Sequence, residues 1–332
     1  MRFEAGENEA GRRLDRILKK LLSEASLSFI YRVIRKDVKV NGKRVSGEKL
    51  LEPGDVVEIF LTDEKIEELR QRRSAKAPTA KIQFSVVYED DNVLVVSKPF
   101  GLLTHGDDVE RKNTLANQVA AYLSGTETWV PGGANVFVPA PANRLDRNTT
   151  GLVLFGKTLP AARDLAYMLQ GGEKGSAYVE KAYLTVVKGV FASPLTLRAR
   201  MVRDIETNMT KVLSEDSGEG RMMATEAIPL KAGKEFTLVE AKLMTGRTHQ
   251  IRAQLAAAGF PVIGDRKYGD AAVNRRMSGL YGLTTQLLHA YRLAIFEGYR
   301  SLEYLKGRIF LAEPPVRFVK IAEELGCDMK MK

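Results

Sequence analysis

From Thr62 to Lys81 the hydrophobic pattern of this chain stops: Lys65, Arg70, Arg72, Arg73 and Lys76 mix with Glu64, Glu67 and Glu68, and apolar residues do not recur at helical or strand spacing. A chain of 332 residues exceeds what one hydrophobic core normally organises. The stretch is therefore expected to divide two folded units. The expected layout is a small unit over 1–61, a polar linker over 62–82, a larger unit over 83–326 and a tail over 327–332.

The first unit is small and strongly basic. Arg12 to Arg44 contains eleven Lys or Arg against three Asp or Glu, a net of +8 out of +10 for the whole chain. Leu14, Ile17, Leu18, Leu21 and Leu22 follow one helical face and leave Arg13, Arg16, Lys19 and Lys20 outside it. A second helix is expected after Ser28, a candidate N-cap, with Ile30, Val33 and Ile34 buried and Arg32, Arg35 and Lys36 outward. The period then changes to two. Val38 to Val45 reads as a hairpin around Asn41-Gly42, the dipeptide that accepts the two positive φ angles of a type I′ turn. After a turn at Glu52-Pro53-Gly54-Asp55, Val56 to Phe60 is expected to complete a small sheet.

Charge and cysteine usage bound the function classes. An excess of ten positive charges and a pI near 9.5 favour a polyanionic partner. Cys327 is the only cysteine, which excludes an internal disulfide, a cysteine zinc site and an iron–sulfur cluster, and fits a cytoplasmic protein. The acidic start, Met1 to Glu7, has no apolar core of a targeting segment, and no run reaches the length that spans a bilayer.

In the larger unit, Phe84 to Tyr88 and Val93 to Val96 read as strands joined at Glu89 to Asn92, and Lys98-Pro99-Phe100-Gly101 ends the second. Gly125 to Pro141 reads as a loop rich in Gly, Pro and small residues. It leads into Ala142-Asn143-Arg144-Leu145-Asp146-Arg147 and then the strand Leu152 to Phe155. A carboxylate flanked by Arg144 and Arg147 has three readings: a structural ion pair, a metal ligand, or a reactive group kept ionised by its neighbours. His105, His249 and His289 are the only histidines and none is near in sequence, so no metal site is expected.

Two short basic helices beside a tight hairpin resemble the alpha-L RNA-binding domain of a small-subunit ribosomal protein and of many RNA-modifying enzymes. That resemblance assigns Arg13, Arg16, Arg32, Arg35, Lys36, Lys39, Lys43 and Arg44 to phosphate contact. The Arg144-Leu145-Asp146 segment resembles the signature of the pseudouridine synthases of ribosomal and transfer RNA, in the branch that carries an amino-terminal alpha-L domain. Val87 to Gly101 resembles the first motif of that family, Lys181-Ala182-Tyr183 its tyrosine motif, Thr245 to Arg252 its arginine motif, and Leu288-His289-Ala290 its late strand. Asn143 stands where many members carry histidine, a departure that bears on loop geometry and RNA contact.

The resemblance implies an α+β protein: a small basic alpha-L domain, then a mixed α/β catalytic domain on a largely antiparallel sheet. It implies Asp146 as the essential carboxylate and Arg252 as its partner. Tyr183 would lie against a flipped uracil, its hydroxyl near the proton lost from C5, and Arg144 and Arg147 would contact RNA. The reaction exchanges an N1–ribose bond for a C5–ribose bond with no net gain of groups or electrons, so no cofactor is expected. The expected partner is structured RNA, ribosomal RNA of the large subunit before transfer RNA. No membrane or obligatory protein partner is expected, and the chain should act as a monomer. A non-catalytic RNA-binding or ribosome-assembly factor is the rival reading, opposed by the presence of Asp146, Tyr183 and Arg252 together.

Overall fold

The computed structural model describes residues 1–6, 8–69, 80–107, 109–124, 137–171, 178–204 and 209–328. Most of the loop expected over 125–141 lies outside these residues, as do 70–79 of the linker, including Arg70, Arg72, Arg73 and Lys76, and 329–332 of the tail.

The amino-terminal unit runs β1 (Arg2–Glu4), α1 (Leu14–Leu21), α2 (Leu27–Asp37), β2 (Val38–Val40), β3 (Val56–Ile59) and α3 (Asp63–Leu69). The five leucine and isoleucine side chains expected on the α1 face are all buried, and they pack with Ile30, Val33 and Ile34 of α2 in one core. Asn41 and Gly42 have φ of 52° and 74°, the pair of values that a type I′ turn requires.

Four details differ from the sequence reading. Ser26, not Ser28, caps α2 by accepting the Phe29 N–H at 3.2 Å. The chain beyond the Asn41-Gly42 turn touches β2 only at Val40 and Lys43. The true partner of β2 is β3, which also pairs with β1, a strand too short to show a pattern in the sequence. The polar stretch from Thr62 begins with a helix, because Ile66 and Leu69, three residues apart, bury themselves in the same core. At the other end of the chain, Cys327 lies fully buried beside Phe236 and Leu238, so the larger unit extends past residue 326.

The larger unit continues with β4 (Ser85–Glu89), β5 (Val93–Lys98), α4 (Leu115–Ser124), β6 (Thr150–Gly156), α5 (Leu159–Gln170), β7 (Val179–Lys188), β8 (Leu195–Asp204), β9 (Met209–Leu213), β10 (Arg221–Ala232) and β11 (Phe236–Leu243). Then follow α6 (Gln250–Ala257), α7 (Ala271–Tyr281), β12 (Leu288–Ile295), β13 (Ile309–Leu311) and α8 (Val316–Glu324). The sheet order is β4-β5-β6-β12-β7-β11-β10-β8-β9, with β13 added to β12. Every pairing is antiparallel except β6 with β12.

Alternate residues of the central strands feed opposite faces of this sheet. Leu94, Val96, Val153, Phe155, Tyr183 and Val187 pack toward α4 and α6, whereas Val93, Val95, Leu152 and Leu154 pack toward α5, and Leu184 and Val186 toward α7 and α8. With helices on both faces, the middle of the sheet is a rigid floor. No helix among the described residues is long and apolar enough to cross a membrane.

Candidate active site

Asp146 sits in the segment that delivers the chain to β6, and its neighbours are fastened on all sides. Asn143 accepts the Leu154 N–H at 2.8 Å and donates to the Leu152 carbonyl at 3.1 Å, so this residue holds the segment to the strand that follows it. Thr104 donates to the Leu145 carbonyl at 2.8 Å and accepts its N–H at 3.2 Å. Lys98, almost fully buried, donates to the carbonyls of Leu102 and Arg147 at 2.7 and 2.9 Å. Burial pushes the Lys98 ammonium down to about 7, with the charge of Asp146 opposing the shift. This lysine staples the loop from within the core.

The segment enters the sheet at Gly151, where φ is 110° and a Cβ would lie 2.1 Å from the Ala290 carbonyl oxygen. Only glycine fits. Ala290 pairs with Gly151 on one side and with Tyr183 on the other, so a single row across β6, β12 and β7 sets the Asp146 segment against Tyr183. His289, next in β12, is buried. Its Nε2 donates to the Ala312 carbonyl at 2.9 Å, which leaves Nδ1 to accept from the Thr150 hydroxyl at 2.7 Å. Burial takes its pKa down to about 4, which fits a neutral ring with both nitrogens hydrogen-bonded inside the fold.

Arg252 projects from the first turn of α6, whose Ile251 and Leu255 are buried and whose Gly259 follows the C-cap with φ 86°. Every guanidinium nitrogen is used. Nη1 donates to Asp146 at 2.7 Å, while Nε and Nη2 grip Asp265 at 2.6 and 2.8 Å. Burial would raise the Asp265 carboxyl, but the Arg252 hydrogen bonds and charge, with the N–H groups of Lys267 and Tyr268, hold it below the ordinary range. Burial likewise opposes the Arg252 charge, and Asp265 and Asp146 more than restore it. The Tyr268 ring lies 5.3 Å from the guanidinium carbon, and its hydroxyl meets His249 Nδ1 at 3.0 Å. Arg252 is thus aimed by a buried carboxylate on one side and presents Nη1 to Asp146 on the other.

Asp146, with 26% of its side chain exposed, faces a cleft of about 970 Å³. Tyr183 lines that cleft from β7. Burial, and then the negative charge of Asp146, raise its hydroxyl well above the usual phenol value, so it keeps its proton at neutral pH. The exposed Arg144, Arg147, Arg203 and Arg247 also line the cleft, and Arg147 reaches Asp107 at 3.4 Å.

The structure brings together five of the residues singled out from the sequence: Asp146, Tyr183, Arg252, Arg144 and Arg147. The eight basic residues of the amino-terminal unit do not line this cleft. Arg16, Arg32, Arg35, Lys36, Lys43 and Arg44 are exposed, and Lys39 is half-buried over the Phe60 ring. Arg13 is engaged within its own unit, with Asp15 at 2.7 Å and Glu48 at 3.2 Å. Asp265 and Tyr268 were not anticipated. The only sequence signal for Asp265 is indirect: a buried arginine on α6 demands more than one partner.

Comparison with known proteins decides the family. The family described as RNA pseudouridylate synthase matches residues 92–257. Ribosomal large subunit pseudouridine synthase C of Escherichia coli (strain K12) is 33% identical over 296 residues, covering 86% of this chain and 85% of that protein. The chain belongs to the pseudouridine synthase family. It is accordingly an RNA-modifying isomerase. The Haemophilus influenzae protein of the same name is 30% identical over 313 residues, covering 90% of this chain and 88% of its own length. The solved human RNA Pseudouridylate Synthase Domain Containing 4 shares the fold with a TM-score of 0.54 at 21% identity, over 73% of this chain and 92% of its own. Human RNA Pseudouridylate Synthase Domain Containing 1 gives 0.50 at 21% identity, over 75% and 97%.

Proposed function

We propose that this synthase converts chosen uridines of large-subunit ribosomal RNA, acting as a cytoplasmic monomer, with Asp146 as its reacting carboxylate. The observation that carries the reading is the Arg252–Asp146 contact at 2.7 Å on the wall of a cleft sized for a nucleotide. The relatives named for the large ribosomal subunit direct the choice of RNA.

In the reaction the bond from uracil N1 to ribose C1′ breaks, the base turns, and C5 bonds to C1′. C5 then gives up its proton and N1 ends protonated, so the product is an isomer. A uridine has to leave its stack to reach a recessed carboxylate. Asp146 meets the sugar carbon as it becomes electron-poor, either by bonding to C1′ or by stabilising its positive character. Arg252 donates to the carboxylate and directs it in a site from which the incoming base displaces water. Tyr183, retaining its proton, offers a flat apolar face to the base and a hydroxyl donor, rather than a phenolate base.

In the amino-terminal unit, the exposed Arg16, Arg32, Arg35, Lys36, Lys43 and Arg44 form an alpha-L-like surface that grips phosphates outside the cleft. The test is to map pseudouridines in ribosomal and transfer RNA from cells with and without the protein. Loss of particular pseudouridines from large-subunit RNA is expected. Losses confined to transfer RNA would redirect the substrate, and an unchanged map would overturn the reading.

A further inference from the structure

Lys181 stands two residues before Tyr183 on β7, on the same face of the sheet, and lines the same cleft. It is only 8% exposed. Among the described residues its ammonium has no carboxylate and no hydrogen-bond acceptor. The site of a Cβ on Gly246, in the turn before α6, would lie 3.8 Å from its Nζ. Nothing offsets the burial that lowers its pKa.

The opposite face of the sheet shows how this protein treats even half-buried cations when the need is structural. There Lys242 has Glu180, Glu226 and Glu240 each at 3.9 Å, and Arg292 has Glu180 at 2.7 Å and Glu240 at 3.3 Å. A cation buried without such partners costs stability, and it is retained where a ligand supplies the counter-charge. RNA offers one class of anion, the phosphodiester.

We propose that Lys181 receives a phosphodiester next to the flipped uridine and so fixes the height of the base between Tyr183 and Asp146. The contact differs from those of Arg144 and Arg247, which are exposed and therefore screened by salt. Lys181 is a binding and positioning residue, and the proposal rests on the reading of the cleft as the uridine site.

The experiment uses the full-length enzyme and a stem-loop of large-subunit ribosomal RNA that carries a uridine identified by the mapping above. Lys181→Met and Lys181→Gln are each expected to slow single-turnover conversion by about 10- to 100-fold while the urea midpoint stays level or rises, since an unpaired buried charge has been removed. A neutral methylphosphonate placed on one side of the target uridine should slow the wild-type enzyme by a similar factor and slow Lys181→Met by less than about threefold more. Raised salt should leave the Lys181→Met deficit intact and shrink that of Arg247→Gln. Two results would overturn the proposal: conversion by the variants at the wild-type rate, or a methylphosphonate penalty on either side that is the same with and without the lysine. A wild-type enzyme that forms no pseudouridine in this stem-loop would instead overturn the substrate reading, and the proposal with it.

Discussion

The two ends of this protein hold their positive charge in opposite ways. On the amino-terminal unit, Arg16, Arg32, Arg35, Lys36, Lys43 and Arg44 stand in solvent around a small core of leucine, isoleucine and valine. In the cleft, Arg252 is 5% exposed and held by two carboxylates, and behind it Lys98 is consumed by main-chain carbonyls. Exposed cations are interchangeable, salt-sensitive and additive, which suits the capture of a phosphate backbone. Buried ones are fixed in direction, which suits chemistry at a single atom. The contrast can be broken by substitution, and the largest effect belongs to the cleft.

Asp146→Asn keeps the shape of the side chain and removes its charge. Single-turnover conversion should fall by at least ~100-fold, a barrier increase of roughly 2.7 kcal/mol, with RNA affinity changed by less than about threefold. A variant within tenfold of wild type would show that the carboxylate is not the reacting group. Next in size is Asp265→Asn, which leaves Arg252 buried with one partner weakened. Breaking a buried pair costs about 3 kcal/mol or more, and activity should fall with it because Arg252 loses its aim. The Asp265 carboxyl is held below its unfolded value, ~3.9. Its ion pair therefore stabilises fully above that value, and the contribution is lost as pH falls through the folded one. Urea unfolding should show a wide gap between wild type and Asp265→Asn at pH 7 that closes toward pH 3. A gap of equal size at both would deny that Asp265 is ionised in the fold.

What the sequence disclosed follows the same division. Local patterns were legible: the α1 face, the Asn41-Gly42 turn, and the apolar runs of β5 and β6. The first partner of Arg252, Asp146, stands in a different motif of the chain and was legible only through the family resemblance that links the two. Asp265 was not, since its role depends on a turn that Asn274 of α7 brackets by accepting from Gly264 and donating to the Asp265 carbonyl. Helix α3 escaped because Ile66 and Leu69 are two apolar residues in a charged stretch, too few for a period yet enough to bury once a core lies beneath them. The ion pairs of Arg13 escaped for a related reason: charge spacing along the chain does not reveal Asp15 and Glu48 closing on the same guanidinium.

A shortened chain that starts at Ala80 removes the basic unit with α3. The Leu159 N–H, which now donates to Asn8 at 2.8 Å, would turn to water, at a cost of about 1 kcal/mol. The catalytic unit should fold and convert uridine at high RNA concentration. Its log affinity should depend less steeply on log salt, by about 0.9 for each duplex phosphate that the basic unit neutralises or 0.7 for each single-strand phosphate. An unchanged slope would reduce the basic unit to a solvated surface.

The smallest effect sharpens the comparison within one unit. Arg35 on α2 is exposed, whereas Arg13 at the start of α1 is tied to Asp15, which also accepts the Tyr31 hydroxyl at 2.9 Å. The hydrogen bond to Asp15 holds the Arg13 guanidinium above its ordinary value, and that same bond is the main reason Asp15 lies below its own. Both arginines carry one charge on one basic surface, so a purely additive surface would make them equivalent. The geometry makes them different. Arg35→Gln should flatten the salt slope by about 0.9 if it meets a duplex phosphate and leave the thermal midpoint of the amino-terminal unit unchanged. Arg13→Gln should lower that midpoint, because Asp15 is left against Tyr31 without its cation, and should leave the salt slope within error of wild type. If Arg13→Gln instead flattens the slope as much as Arg35→Gln, the Asp15 pair opens when RNA arrives, and Arg13 belongs with the exposed cations after all.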